Sequence, residues 1–263
     1  MAKLLSRLLG AIFLLVLSTA QGATPLLTEA DIAQLSTWLG NGPIRLERLY
    51  KKRDGQTAAD FHAAVDGKGR TFTVMEATNE LGQLFKVGGY NPQSWDSSGK
   101  FHITTEDEKR TGFLYNLTSR QMHRQTPRTY ALDTVGSFQT WNDARTGPVF
   151  GAGHDLYVPW DLTNGGYSIM YSYIDPERSN FDSSLLDGRD YKSPNITFGD
   201  MEVWRVFAVP EADTWLMLVA GLVILGFAAR FAQPLRPISK APQCGPSSQA
   251  ERGNRSGMSP LST

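Results

Sequence analysis

Cysteine is nearly missing: the 263 residues hold one, Cys244, close to the C-terminal end. The long stretch before it has no disulfide, no thiol nucleophile and no thiolate for a metal, so that stretch must be stabilised by packing alone. Histidine is scarce too, with only His62, His102, His123 and His154. No His-Glu-x-x-His helix and no Gly-x-Ser-x-Gly elbow occurs, which removes the common hydrolase signatures. An excess of one charge is also lacking, since 26 Lys and Arg balance 26 Asp and Glu.

The balance is uneven along the chain. Residues 24–229 carry 19 basic against 25 acidic side chains, whereas residues 230–263 carry five basic and one acidic. An acidic body argues against nucleic acid as a partner. A basic end is expected to stay on the cytoplasmic side of a membrane.

Two apolar runs explain why such an asymmetry matters. At the start, Lys3 and Arg7 precede apolar residues from Leu8 to Leu17 and then small residues, the pattern of a secretory signal peptide over residues 1–23, with cleavage after Ala20, Gly22 or Ala23. Near the other end, Trp215 to Ala229 is apolar on every side and is followed at once by Arg230. About 15 residues at 1.5 Å each reach about 22 Å, and snorkelling by Arg230 with the Trp215 ring at the interface extends that span toward a bilayer core. The run is therefore expected to be a transmembrane helix. Val209, Pro210, Glu211 and Ala212 stand before it. A Pro-Glu dipeptide, a short apolar span and a trailing Arg resemble the PEP-CTERM sorting signal, here over residues 209–231. That resemblance implies an exosortase-type transpeptidase as a partner, acting while the tail is held in the membrane. Ala212 takes the place where Pro is commoner, and the basic tail 232–263 is longer than such signals usually have.

Between the two runs, about 185 residues fit a single domain with a substantial core. Thr28 to Leu39 has helical spacing at Ile32, Leu35, Trp38 and Leu39 behind a capping Thr28, giving a lead-in helix in residues 24–43. Ile44 to Tyr50 reads as a strand, and Thr57 to Asp60 opens a short helix pointing Ala58, Phe61 and Val65 one way. Arg70 to Glu76 and Gln83 to Tyr90 form a hairpin, where Gly88-Gly89 marks a bulge or a close backbone approach. Further strands are expected at Thr111 to Leu117, at Val149-Phe150 and Leu156 to Trp160 around a glycine turn, at Tyr167 to Ile174, and at Asp200 to Ala208. In Tyr167 to Ile174 the alternation puts Ile169, Tyr171 and Tyr173 on a packed face and Ser168 and Ser172 on a wetter one. Ser119 to Arg145 is polar, and reads as a binding loop.

The order and wording of these segments resemble the TLDc family. The carriers are Leu49-Tyr50, Asp54-Gly55, Phe61-His62, Asp66-Gly67-Lys68-Gly69 with Thr71-Phe72-Thr73-Val74, Val87-Gly88-Gly89-Tyr90 and Gly112-Phe113-Leu114-Tyr115. They continue with Gly147-Pro148-Val149-Phe150-Gly151-Ala152-Gly153-His154-Asp155-Leu156 and close on Gly199-Asp200-Met201-Glu202-Val203-Trp204. The resemblance implies a β-sandwich with short flanking helices, no agreed catalytic residues, and links to oxidative-stress resistance and, in eukaryotes, to the vacuolar proton pump. The expected class is thus mainly β (α+β): a two-sheet antiparallel β-sandwich over residues 44–208, with a signal peptide before it and a transmembrane helix after it.

His154-Asp155 in a glycine turn is the one pair that invites metal or acid/base chemistry, although no second ligand stands two to four residues away. Asp182, Asp187 and Asp190 are wrongly spaced for a calcium loop and read as a solvated acidic face. Tyr130, Trp141, Tyr157, Trp160, Tyr167, Tyr171 and Tyr173 would serve sugar or peptide recognition, and core packing accounts for most of them equally well. The sequence points to an exported, surface-anchored, non-catalytic interaction module with no cofactor, facing an envelope or matrix protein or polysaccharide. Two other readings stay open: an envelope enzyme or metal-binding protein using His154 and Asp155, and an uncleaved single-span membrane protein.

Overall fold

The computed structural model describes residues 24–129, 134–175, 181–190, 195–209 and 218–225. Both expected helices form. In α1 (Glu29–Leu39) the Asp31 amide donates to Thr28 Oγ1 while the Thr28 amide donates to the Asp31 carboxylate, a reciprocal cap, and Gly40 ends the helix at φ 75°. In α2 (Ala58–Val65) the Asp60 carboxylate accepts the Thr57 amide, and Ala58, Phe61 and Val65 are buried as their spacing requires.

Besides two single-turn 3-10 helices (Asp107–Lys109 and Val135–Ser137), the remaining elements of the domain are strands: β1 (Ile44–Lys51), β2 (Thr71–Thr78), β3 (Leu84–Asn91), β4 (Lys100–Ile103), β5 (Phe113–Asn116), β6 (Gln121–Arg124), β7 (Phe138–Asn142), β8 (Val149–Phe150), β9 (Leu156–Tyr157) and β10 (Thr197–Ala208). They make a six-stranded sheet in the order β1-β10-β2-β3-β5-β6 and a four-stranded sheet in the order β4-β7-β8-β9. Every pair is antiparallel. The architecture is mainly β, two antiparallel sheets with a few short helices, consistent with a β-sandwich.

Both faces of the large sheet are covered. Met75, Ala77, Val87, Met201 and Val203 share one core with Phe61 and Val65 of α2 and with Phe150 and Leu156 of the small sheet. Phe72, Val74, Tyr115 and Val206 form a second core under Leu35, Ile32, Trp38 and Leu39 of α1. The lead-in helix is thus part of the packed body. Buried Glu202 reinforces it: its carboxylate accepts the Leu26 amide at 3.0 Å, Arg48 Nη1 at 3.0 Å and Trp204 Nε1 at 3.2 Å.

The Gly88-Gly89 pair is a close approach, not a bulge, since β2 and β3 pair without a break from Thr71↔Asn91 to Thr78↔Leu84. The Phe150 ring of the small sheet lies over Gly89, where a Cβ would fall 2.5 Å from the ring. Only glycine lets the sheets come this near.

Three expectations are corrected. Tyr167 to Ile174 is not a strand, because the amides of Tyr171, Ser172 and Tyr173 bond to the Asp155 side chain instead of to a ladder; Tyr173 is buried as expected, but Ser168 and Ser172 are buried too, and Ile169 and Tyr171 are only half-buried. The polar stretch 119–145 is not a single loop: it contains β6 and β7 among its described residues, and part of its polarity, at Gln125, Thr126, Gln139, Thr140 and Asn142, is internal. Gln139 is fully buried: its Nε2 donates to Asn91 Oδ1 at 2.9 Å and its Oε1 accepts from Thr104 Oγ1 at 3.0 Å. The third is the long final strand, which begins at Thr197 and not at Asp200, carrying an irregularity between Phe198 and Met201.

The chain divides into one unit through Glu211 and a second from Ala212 onward. In the second, residues 218–225 are helical, and Leu222, Ile224 and Leu225 are 61%, 67% and 68% exposed. No helix among the described residues is long and apolar enough to cross a membrane. The expected signal peptide (1–23) and, of the run from Trp215 to Ala229, residues 215–217 and 226–229 lie outside the described residues.

Replacing Gly89 by Ala should destabilise the fold by about 3 kcal/mol, since the whole Phe150 ring must move. Urea unfolding of Gly89→Ala alone and with Phe150→Leu measures it, and the second change should recover part of the loss.

Candidate functional site

An open groove of about 420 Å3 lies at the small sheet, lined by Phe101, Trp141, Asp143, Arg145, Thr146, His154 and Tyr157. Phe101 on β4 pairs across the ladder with Trp141 on β7, and their ring centroids are 4.7 Å apart. Facing residues come from the turn after β8 and from β9. His154 stacks on Tyr157 at 5.3 Å with planes 15° apart, and Tyr157 stacks on Tyr167 at 4.7 Å. The three rings form a cluster, with the His154 and Tyr167 centroids themselves 5.8 Å apart, and it is pinned because His154 Nδ1 and the Tyr167 hydroxyl are 2.5 Å apart. Burial lowers the affinity of the His154 ring for a second proton, which favours its neutral form.

The polar rim is the turn 143–146. Arg145 grips Asp143 with Nε at 3.0 Å and Nη2 at 2.8 Å, and its amide donates to the same carboxylate. These hydrogen bonds from the Arg145 side chain and amide hold the Asp143 carboxyl down at about 2. His62 supports the turn from inside: its Nε2 lies 3.0 Å from Asp143 O and 3.1 Å from Thr146 O, and its Nδ1 lies 2.8 Å from Asp66 Oδ1.

Under the groove, Asp155 is fully buried, and its Oδ2 accepts the amides of Tyr171, Ser172 and Tyr173 at 2.7 to 2.8 Å. Desolvation outweighs these donors and raises its carboxyl to about 7. The glycines before it answer to the same contact. Gly151 is left-handed at φ 78°, and a Cβ there would fall 1.8 Å from Asp155 Oδ1; at Gly153 one would meet Tyr171 Cβ at 2.6 Å. His154 itself sits at φ 56°, a strained value for a residue with a side chain.

The TLDc domain model matches residues 20–207. The chain belongs to the TLDc domain family. No curated protein matches it. The match begins before α1, so the TLDc domain includes the helix that the sequence set apart as a lead-in.

Within this domain the adjacent His154 and Asp155 part company. His154 lines the groove, and Asp155 turns inward to the loop amides; no group of three His, Cys, Asp or Glu able to hold a metal exists among the described residues. Asp187 bonds to Asn79 and Arg189, lining a second cavity of about 490 Å3 with Asp190; Asp182 is not in that lining. Of the aromatic residues singled out, Trp141 and Tyr157 line the groove, Tyr167 backs it, Tyr173 is core, and Trp160 is 54% exposed elsewhere. Tyr130 lies outside the described residues, as do Pro210, Glu211, Ala212 and Arg230. Val209 is described: it is exposed, and its amide donates to Pro43 O. Sequence reasoning missed Phe101 and the Asp143–Arg145 pair. The alternation Phe138, Thr140, Asn142 against Gln139, Trp141 was the only signal for β7, and polar residues on both faces hide it.

Asp155 generates a test. With its folded carboxyl at about 7 and an ordinary value near 4 when unfolded, the unfolded chain ionises first as pH rises. Stability should therefore fall between about pH 4 and pH 7, by about 1.4 kcal/mol per unit at its steepest, and level off above. Asp155→Asn matches the neutral acid, keeping one oxygen for the three amides. It should leave stability near pH 5 within about 1 kcal/mol and flatten that slope, while Asp155→Ala, which strands the amides, should lose about 3 kcal/mol. Thermal unfolding across pH 4 to 8 reads all three.

Proposed function

We propose that this chain is an exported, surface-anchored and non-catalytic TLDc interaction module, processed near Pro210 and Glu211 by an exosortase-type sorting system that reads residues 209–231 as a PEP-CTERM signal. The observation that carries the reading is the second unit, whose helical residues 218–225 leave six large apolar side chains exposed, from Leu218 to Leu225. Apolar surface of that kind needs an apolar partner, and a bilayer supplies one. The charge asymmetry agrees, with an acidic domain before this run and a basic tail after it.

A binding role is supported by the groove, where planar rings and one ion pair are held on strands and a braced turn. A non-catalytic role is supported by Asp155, whose carboxyl is engaged by loop amides and turned away from the groove. The partner class is an envelope or matrix component.

Cell fractionation with intact-mass measurement tests this. The product should lack the apolar run, and changing Pro210-Glu211 to Ala-Ala should leave the full-length form in the membrane. A wild-type chain of full mass in the membrane would identify a single-span protein instead. Metal analysis and a His154→Ala comparison test the envelope-enzyme alternative: bound metal, or lost activity, would sink the non-catalytic reading.

A further inference from the structure

We propose that the groove binds a neutral oligosaccharide, with hexose rings seated between the Phe101–Trp141 pair and the His154–Tyr157 stack and hydroxyls met by Asp143 and Arg145. This assignment deepens the binding-module reading and rests on it.

The first argument is chemical. A pyranose presents C–H groups on its faces and hydroxyls around its rim, so its binding site needs flat apolar walls and a planar polar edge. Four of the groove's seven lining residues are ring side chains, the Phe101 and Trp141 planes 56° apart and the His154 and Tyr157 planes 15° apart, and two others are a carboxylate and the guanidinium that grips it. A sugar hydroxyl donates and accepts at once. Asp143 and Arg145 therefore suit neighbouring hydroxyls, one as acceptor and the other as donor.

The second argument is charge. Asp143 and Arg145 cancel, and burial favours the neutral form of His154, so the groove offers no net attraction for an acidic glycan. A neutral ligand is the complementary one.

The third argument is rigidity. His154 is fixed by its strained backbone, its bond to Tyr167 and its stack on Tyr157; Trp141 and Phe101 stand on paired strands; the 143–146 turn is braced by His62. Rings held this way lose little conformational freedom on binding, which is how a weakly attractive ligand such as a sugar gains affinity. Strain at a ligand-facing residue is also where a binding function is expected.

A peptide fits less well. It needs backbone acceptors and donors as well as pockets, and the carbonyls of Asp143 and Thr146 are turned inward onto His62.

The test uses the full chain in a detergent without a sugar headgroup, applied to an array of neutral and acidic oligosaccharides, with the best probe then titrated by calorimetry. A neutral oligosaccharide of two or more rings should bind, with affinity little changed by added salt. Trp141→Ala and Arg145→Gln should each weaken it about tenfold, which corresponds to about 1.4 kcal/mol. Arg145 is 84% exposed, so its variant should fold normally even if Trp141→Ala does not. Trp160→Ala, an exposed ring outside the groove, should bind as the wild type does. The assignment is overturned if no neutral glycan is retained, if only acidic glycans bind and salt abolishes it, or if a peptide array gives binding that Trp141→Ala removes. Processing at Pro210-Glu211 is read separately. A processed chain that holds no glycan removes the groove assignment alone; a glycan-binding chain that is never processed removes the surface-anchoring reading alone.

Discussion

One buried carboxyl organises the half of the domain that faces its groove. The segment 167–174 crosses the interior with no strand to pair with over Tyr171 to Tyr173, and three successive amides would be stranded there without Asp155 Oδ2. Their acceptor has to approach from below, and Gly151 and Gly153 are glycines because the carboxyl and the Tyr171 Cβ fill the space a side chain would take. The same crowding puts His154 at a positive φ. Tyr167, at the head of the supported segment, then reaches His154 and stacks on Tyr157. The aromatic cluster follows from a polar contact that no ring takes part in.

Polar groups hold the small sheet in a similar way. Gln139 lies at its centre: its amide bonds Asn91 and Thr104, while its carbonyl accepts the Tyr173 hydroxyl at 2.8 Å and the Gly151 amide at 3.0 Å. Strands as short as β8 and β9, two residues each, make few ladder hydrogen bonds of their own. They persist because Phe150 plugs the gap over Gly89 and because Gln139 ties the turn after β8 to the strand before it. A described body without cysteine thus gains rigidity from buried hydrogen bonds, which fix geometry more sharply than apolar contact does.

How much of this was legible in the sequence depended on where each segment found its partners. Both helices could be read because their caps and apolar stripes are local: Thr28 with Asp31, Thr57 with Asp60, and Phe61 with Val65. The β2–β3 hairpin could be read for the same reason, as Asn79 closes its turn within four residues. Tyr167 to Ile174 misled because alternation usually means a ladder, and here the acceptor is a side chain 16 to 18 residues upstream. β7 was hidden because Gln139 and Thr140 are satisfied inside the core by residues far away in sequence. Of the groove, its rings could be named from composition, yet nothing local says that Phe101 meets Trp141 or that Arg145 grips Asp143.

The placement of these features bears on what the domain is suited to do. Catalysis needs an acid, base or nucleophile free to exchange a proton with a ligand, and around the groove the described groups of that type already have partners. Asp155 holds amides, Asp143 is ionised under Arg145, and His62 is committed to two carbonyls and Asp66. His154 alone faces the groove, with one ring nitrogen bound to Tyr167 and its basicity lowered by burial. What remains open to a ligand is ring surface and a neutralised ion pair. On the proposed reading, such a lining would recognise shape and hydroxyl pattern, and it would do so on a domain tethered at an envelope or released from it.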